Sequence, residues 1–206
     1  MFTGIVAAVG RITQVAPLGD EEAGVRLSID AGTLGLQDVA LGDSIAIQGA
    51  CMTVVAMAGN TFDVDVSRES LSKTAGLDGL REVNLEKSLS LSTKLGGHLV
   101  SGHVDGLGEV LRFAPVGESH ELVIRAPREL AKFLAYKGSV TVNGVSLTVN
   151  RVADVADGAE FSINLIPHTV AVTTLKELKA GTKVNLEIDL IARYVERMLG
   201  SSDVAR

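Results

Sequence analysis

Two side chains with chemically active groups, a thiol and a hydroxyl, occupy matched positions in this sequence. Cys51 and Ser146 each lie shortly after a polar-glycine pair and directly before a Met-Thr-Val or Leu-Thr-Val run. A thiol becomes a nucleophile or a metal ligand as the thiolate. Burial of a small side chain is the plainer interpretation of each residue alone, but the matched positions favour a site.

His103 adds a group that gives and takes protons near neutral pH, because an unperturbed imidazole has a pKa of about 6.5. Its counterpart in the first half of the chain is the aliphatic Ile5. His98 and His120 are interpreted as structural or surface histidines. Two further matched pairs differ in chemistry: Arg68 with Pro167, and Glu69 with His168.

The chain that must position these residues repeats itself. Four blocks recur in the same order: Met1–Val6 as Leu99–Val104, Leu41–Val54 as Tyr136–Val149, Phe62–Val66 as Phe161–Leu165, and Val83–Glu86 as Val184–Glu187. A repeat of roughly a hundred residues is the size of a small domain rather than of a solenoid unit. We therefore expect two similar domains, 1–97 and 98–188, followed by a terminal segment, 189–206.

Each half has the pattern of short antiparallel strands. Apolar and polar residues alternate in Ser44–Ile47 and in Ser139–Val142, and a glycine turn and a second β-rich run follow each. Further strands are predicted at 61–66, 160–166 and 183–188, with short helical turns at 67–74 and 127–134. With 22 glycines in the chain, the fold is predicted to be all-β: two small antiparallel Greek-key barrels.

The C-terminus carries the one longer helical pattern. Apolar residues follow a three-and-four spacing typical of an amphipathic helix, at Ile191, Tyr194, Val195, Met198 and Leu199. Such a face must pack on something. Two alternatives stand at this point: a partner subunit, or the helix's own barrel.

Composition excludes several classes of function. A net charge of −6 and an aromatic fraction of 3% oppose nucleic-acid binding. No apolar run approaches the roughly 18 residues of a membrane span, and the N-terminus lacks a secretory signal, so we expect no membrane association and a cytoplasmic location. The single cysteine fits a reducing compartment.

Metal and nucleotide sites are not indicated either. His103 and Asp105 share one face of an extended segment, but two ligands are too few for a metal, and one cysteine cannot build a thiolate site. The glycine-rich stretches match no phosphate-binding loop. We therefore expect neither a metal nor a cofactor.

Taken together, the motifs resemble those of riboflavin synthase, the α-type enzyme with two lumazine-binding barrels. The resemblance covers nearly the whole chain and rests on these blocks: Met1–Val6, Gly96–Gly106, Lys137–Ser139 with Gly144–Val149, and Leu165–Thr169. It departs from the family at Gln48, where Asn is common, and at Met52, where Leu is usual. Neither position touches the expected chemistry.

The resemblance implies a cofactor-free dismutation. One 6,7-dimethyl-8-ribityllumazine would give a four-carbon unit to another, forming riboflavin and 5-amino-6-ribitylamino-uracil. The family is homotrimeric, with the terminal helix as a contact and each reacting pair held between two subunits, and lumazine synthase is a candidate partner. The rival expectation is a non-catalytic lumazine- or flavin-binding antenna protein of the same duplicated fold.

The resemblance also implies site residues. His103 would assist proton transfer, Ser146 and Cys51 would hydrogen-bond or transiently add to the ligand, and Thr148 completes the catalytic set. The first pocket would use Gly4, Ile5, Val6, Ser44, Cys51, Met52, Thr53, Asp65, Val66, Ser67, Arg68, Glu69 and Ser70. The second would use Gly102, His103, Val104, Lys137, Ser146, Leu147, Thr148, Leu165, Ile166, Pro167, His168, Thr169 and Val170.

Overall fold

Six antiparallel strands close into each of two barrels in the computed structural model, which describes residues 1–19 and 23–202. The first barrel contains β1 (Ala8–Pro17), β2 (Val25–Asp30), β3 (Ser44–Ile47), β4 (Ala50–Ala58), β5 (Thr61–Val66) and β6 (Glu82–Lys87). The second contains β7 (Gly106–Val116), β8 (Ser119–Pro127), β9 (Ser139–Val142), β10 (Val145–Val155), β11 (Gly158–Leu165) and β12 (Lys183–Ile188). The predicted all-β class is confirmed.

Both barrels have the same topology. The first closes in the order β1-β2-β5-β4-β3-β6, in which β5 returns beside β2 as in a Greek key. The second closes in the equivalent order, β10-β11-β8-β7-β12-β9. Alternation along the strands sends one set of side chains into each core, where Phe62 and Phe161 are fully buried at matched positions.

The two barrels meet through their matched hairpin turns, Gln48–Gly49 and Asn143–Gly144. All four turn residues have positive φ, between 50° and 88°, as a two-residue hairpin of type I′ requires. A Cβ on Gly144 would lie only 2.9 Å from the backbone N of Gly49, so glycine permits the close contact. Two side-chain amides donate hydrogen bonds across the interface to backbone carbonyls: Asn84 to Asn143 and Asn185 to Gln48, both at 2.9 Å.

Five helical segments connect or follow the strands. They are α1 (Arg68–Lys73), α2 (Arg128–Ala131), α3 (Pro167–Val172), a 3₁₀ turn (Thr174–Glu177) and α4 (Leu190–Ser202). Of these, α3 and the 3₁₀ turn were not predicted, and the Thr-Val-Ala-Val run of α3 favours a strand by propensity. The structure instead begins a helix at Pro167, whose fixed φ suits a first helical position.

The terminal helix α4 is present and turns its apolar stripe outward. Ile191, Tyr194, Val195, Met198 and Leu199 are between 49% and 72% exposed, so packing of this face on the helix's own barrel is wrong. Polar side chains tie the helix to the barrel instead: Lys132 Nζ lies 2.5 Å from Glu196 Oε1, and Arg193 pairs with Asp105. In the described part of the chain, every helix is too short or too polar to span a bilayer.

Candidate functional sites

Two short segments exchange places between the barrels. Residues 1–6, the first crossing segment, and residues 99–104, the second, form an antiparallel bridge at Phe2 and Val100, with N–H···O distances of 2.7 and 3.1 Å. Beyond the bridge, Val6 packs against the core of the second barrel, whereas Val104 packs against the core of the first. Each barrel wall is therefore completed by the segment that leads into the other barrel.

The first site lies where the second crossing segment meets β4. The N–H of Cys51 donates to Gly102 O at 2.7 Å. Gly102 has a φ of 79°, and a Cβ there would lie 2.6 Å from Cys51 Cβ, so only glycine fits. The contact lines a cavity of about 190 Å³, bounded by Ala50, Cys51, Met52, Glu69, Ser70, Lys73, Thr74, Gly102, His103 and Val104.

The second site repeats this geometry around β10. The N–H of Ser146 donates to Gly4 O at 2.7 Å, and a Cβ on Gly4, which has a φ of 74°, would lie 2.6 Å from Ser146 Cβ. Ile5, half exposed, takes the place of His103. Leu147 and Val170 are partly buried against the second barrel's core.

The expected grouping of pocket residues is therefore corrected. We expected Gly4, Ile5 and Val6 beside Cys51, and Gly102, His103 and Val104 beside Ser146; the structure pairs them the other way round. The cause is the crossing at Phe2 and Val100. An internal repeat cannot reveal such an exchange, because exchanged and unexchanged arrangements have the same sequence.

Sequence reasoning missed His98 as a site residue. Its Nδ1 lies 2.7 Å from Ser146 Oγ, within hydrogen-bonding distance. Gly97 allows this approach, since a Cβ there would lie 2.8 Å from Ser146 Oγ and 2.2 Å from Thr3 O. Burial lowers the pKa of His98, and the charge of Asp189 opposes that shift. The glycine pair just before His98 was the available signal.

The two sites differ in polarity. Beside Cys51, Glu69 and Lys73 form an ion pair at 2.7 Å, and its hydrogen bond lowers the pKa of the Glu69 carboxyl. At the second site the positions matched to Glu69 and Lys73 are His168 and the aliphatic Val172, so this ion pair has no counterpart there. The Cys51 site thus has an ion pair beside it, whereas the Ser146 hydroxyl has the imidazole of His98 as its hydrogen-bonding neighbour.

The outward-facing threonines extend both sites. Thr53 and Thr148 are exposed and lie two residues after Cys51 and Ser146, hence on the same strand faces. They pair across the ladders with Ser44 and Ser139. Lys137 lies near this end of β10, where its Nζ donates to Asn150 Oδ1 at 3.1 Å.

Several expected site residues have other surroundings. Asp65 points outward from β5 to Arg26, 2.7 Å away, whose hydrogen bond lowers the pKa of the Asp65 carboxyl. Val66 and Leu165 are core residues, 1% exposed. Ser67 caps α1 by accepting from Ser70 N at 3.0 Å. Thr169 is partly buried in α3, and four others are exposed near the starts of α1 and α3: Arg68, Ile166, Pro167 and His168.

A larger cavity, of about 550 Å³, adjoins the second site through Ile5. Thr3, Glu86, Lys87 and Lys94 are among its lining residues. Within residues 1–19 and 23–202, no three His, Cys, Asp or Glu side chains are grouped as a metal site would need.

Comparison with known proteins agrees with this duplicated architecture. The lumazine binding domain family matches residues 3–88 and again 101–189. Riboflavin synthase from Photobacterium phosphoreum is 46% identical over 201 residues, covering 97% of this chain and 89% of that protein. Riboflavin synthase from Brucella abortus (strain 2308) is 43% identical over 205 residues, covering 96% and 98%.

Solved structures with the same fold include LumP. Its complex with riboflavin has a TM-score of 0.78 and 26% identity, and covers 91% of this chain and 99% of LumP. The LumP complex with 6,7-dimethyl-8-(1'-D-ribityl) lumazine also has a TM-score of 0.78, at 24% identity and with the same coverage.

Proposed function

This chain belongs to the riboflavin synthase family, an enzyme family built on duplicated lumazine-binding domains, and we propose the following reaction for it. Two molecules of 6,7-dimethyl-8-ribityllumazine react to give one riboflavin and one 5-amino-6-ribitylamino-uracil. A four-carbon unit passes from one lumazine to the other. The two products together hold every atom of the two substrates, so the reaction needs no external oxidant or reductant.

The observation that carries this proposal is the presence of two sites with one geometry and different side chains. In each site the backbone N–H of a strand residue, Cys51 or Ser146, donates a hydrogen bond of 2.7 Å to the carbonyl of a glycine in a crossing segment. A dismutation needs two pockets for the same ligand, yet the ligands must act differently as donor and acceptor. Matched positions such as His103 and Ile5 supply that difference.

The side chains have distinct proposed roles. A proton must leave the C7 methyl group of one lumazine before the resulting carbanion attacks the other. His103, exposed beside Cys51, is placed to accept or return that proton. His98 holds the Ser146 hydroxyl at 2.7 Å in the second site, where Ser146 hydrogen-bonds or adds to the second ligand and Thr148 extends the contact.

Alignment of the two rings supplies much of the acceleration. Holding two reactants in reacting geometry contributes on the order of 7–11 kcal/mol. Both sites open on the outside of their barrels, since Cys51 and Ser146 lie on strand faces opposite the core. A barrel from another subunit is therefore proposed to cover each site and bring the two ligands together.

The assembly proposed is a homotrimer held by α4, whose exposed apolar stripe supports a subunit contact. The domains are proposed as 1–97, 98–188 and 189–206, with lumazine bound by each barrel; residues 203–206 lie outside the described residues. Lumazine synthase remains a candidate partner. The single unpaired thiol supports a cytoplasmic location.

The alternative, an antenna-type lumazine- or flavin-binding protein, is favoured by the structural likeness to LumP. It needs only one working pocket. Here both sites keep their strand residue, their crossing glycine and a nearby histidine, which supports the enzyme.

The decisive experiment is to incubate the purified protein with 6,7-dimethyl-8-ribityllumazine alone and follow both products by absorbance and chromatography. We expect one riboflavin for every two lumazines consumed, with an equal amount of the pyrimidine. Tight binding without conversion would establish the antenna alternative, and neither binding nor conversion would overturn both.

A further inference from the structure

A buried carboxylate anchors the second crossing segment. Glu187, on β12 and 3% exposed, accepts the N–H and the hydroxyl of Ser101 on Oε1, at 2.6 and 2.7 Å. Its Oε2 accepts the N–H of Gly102 at 3.0 Å. Both oxygens act as acceptors, which is the pattern of an ionised carboxylate.

Glu86 on β6 repeats this arrangement for the first crossing segment. Its Oε1 accepts the N–H and hydroxyl of Thr3 at 2.7 and 2.6 Å, and its Oε2 accepts the N–H of Gly4 at 3.0 Å. In both copies the hydroxyl of Thr3 or Ser101 also accepts a hydrogen bond from the backbone N–H of the residue two positions later. Those donors are Ile5 N, at 3.1 Å, and His103 N, at 3.3 Å.

Each carboxylate therefore acts on the barrel to which it does not belong. Glu187 is part of the second barrel, but the Gly102 and His103 that it holds face Cys51 in the first. Glu86 is part of the first barrel, but the Gly4 that it holds faces Ser146 in the second. We propose that Glu187 is a positioning residue for the Cys51 site and Glu86 for the Ser146 site.

Stability alone does not account for these carboxylates. Burial raises the pKa of both Glu86 and Glu187, against the opposing effect of their hydrogen bonds. Keeping either group ionised thus costs the folded state free energy relative to a neutral group of the same size. Glutamine carries no charge to desolvate, and this offsets part of the hydrogen bonding that the substitution loses, so the variants are expected to fold.

The lone cysteine makes the proposal testable without a ligand. Cys51 is the only thiol in the chain, so its alkylation by iodoacetamide, followed by mass spectrometry, reports on the first site alone. Glu187→Gln keeps an oxygen for Ser101 but presents an N–H to the N–H of Gly102. The segment over Cys51 should loosen, and alkylation should accelerate about tenfold, the factor equivalent to ~1.4 kcal/mol.

Glu86→Gln is the matched control. It disrupts the same set of three hydrogen bonds, but in the segment beside Ser146. Phe2, which packs beside Cys51, keeps its backbone hydrogen bonds to Val100. The rate of Cys51 alkylation in this variant should equal that in the protein without substitutions, within error. If alkylation accelerates equally in both variants, or only in Glu86→Gln, the assignment of Glu187 to the Cys51 site and Glu86 to the Ser146 site is overturned.

A milder pair keeps the test valid if a glutamine variant fails to fold. Ser101→Ala and Thr3→Ala each remove one hydroxyl donor to the same carboxylates. Only Ser101→Ala should accelerate alkylation; no difference between the two would count against the proposal.

That these are substrate sites rests on the proposed function, and turnover separates the two ideas. Both glutamine variants should convert lumazine about tenfold more slowly. If alkylation of Cys51 accelerates only in Glu187→Gln but the protein never makes riboflavin, the proposed function alone is overturned. If the protein without substitutions turns over lumazine but Glu187→Gln does not selectively accelerate alkylation of Cys51, this inference alone is overturned.

Discussion

At the scale of residues, the reactive groups divide into two unlike pairs. The thiol of Cys51 shares a cavity with the exposed His103, and the hydroxyl of Ser146 bonds to the partly buried His98. The other ring nitrogen of His98, Nε2, has no hydrogen-bond partner in the described residues, so Ser146 and His98 do not form part of a nucleophilic triad. Ring alignment therefore accounts for more of the proposed acceleration than any one side chain does.

Removing either strand residue should slow turnover without abolishing it. Ser146→Ala deletes a hydroxyl, Cys51→Ser replaces the thiol by a less nucleophilic hydroxyl, and both leave the crossing glycine in place. We expect a fall of about one to two orders of magnitude, the usual cost of one such contact. Steady-state rates and lumazine titrations would measure it; a complete loss of turnover with binding intact would contradict the alignment argument.

His98 should make the protein less stable in acid. Burial lowers its pKa in the folded state, so on acidification the unfolded chain takes up the proton first. The stability tied to neutral His98 is present above the ordinary histidine pKa of about 6.5 and is lost as pH falls below it. Urea unfolding from pH 7 to pH 5 should show this loss, and His98→Asn should lack that part of it.

At the scale of elements, the crossing segments depend on glycines with positive φ. Gly102→Ala would place a Cβ 2.6 Å from Cys51 Cβ and 2.8 Å from the Phe2 ring. Gly42 is a control, since its φ is 93° and no atom lies within 4 Å of its added Cβ. Left-handed backbone costs any alanine about 1–2 kcal/mol.

Gly102→Ala should therefore destabilise the protein by more than Gly42→Ala, and it alone should impair turnover. Urea unfolding measures the first difference and lumazine conversion the second. Equal losses of stability and equal activity in the two variants would show that backbone strain, rather than the contact with Cys51, is what matters.

The hairpins β3–β4 and β9–β10 and the strands β5, β11 and β12 were predicted from the sequence, whereas β1, β2, β6, β7 and β8, and the pairing of the strands, were not. Alternation in Ser44–Ile47 and the Gln48–Gly49 pair indicated a hairpin because period and turn chemistry are local properties. The repeat of Val83–Glu86 as Val184–Glu187 was visible, but its function was not. Asn84 and Glu86 bond to residues far along the chain, and such contacts exist only once both barrels are closed.

The same distinction holds for the site. Cys51, Ser146 and His103 were found because matched positions in a repeat expose differences. His98 has no unusual partner near it in sequence, and its contact with Ser146 spans 48 residues. Local pattern therefore recovers residues that differ between the two copies, but not His98, which lies just outside the repeated blocks and meets Ser146 only in the folded chain.

At the scale of the whole molecule, α4 is the exposed element that most needs a partner. Ending the chain at Ile188 removes five large apolar side chains that are at least 49% exposed, together with the Lys132–Glu196 and Arg193–Asp105 ion pairs. Surface ion pairs contribute little stability, so both barrels should remain folded.

Analytical sedimentation of the shortened and complete chains should then give a monomer and a trimer. Circular dichroism of both would check that the barrels are intact. A trimer that persists without the helix would assign assembly to the barrel surfaces, and a complete chain that sediments as a monomer would overturn the trimer.

The crossing of residues 1–6 and 99–104 has a consequence for how such a chain can arise. Two identical copies of a single barrel could exchange their leading segments in the same way, as domain-swapped dimers do. In such a pair both sites would be identical by symmetry. Gene duplication and fusion free the copies to change separately, so that one site can carry His103 where the other carries Ile5. The covalent link between the barrels is thus what permits inherited asymmetry.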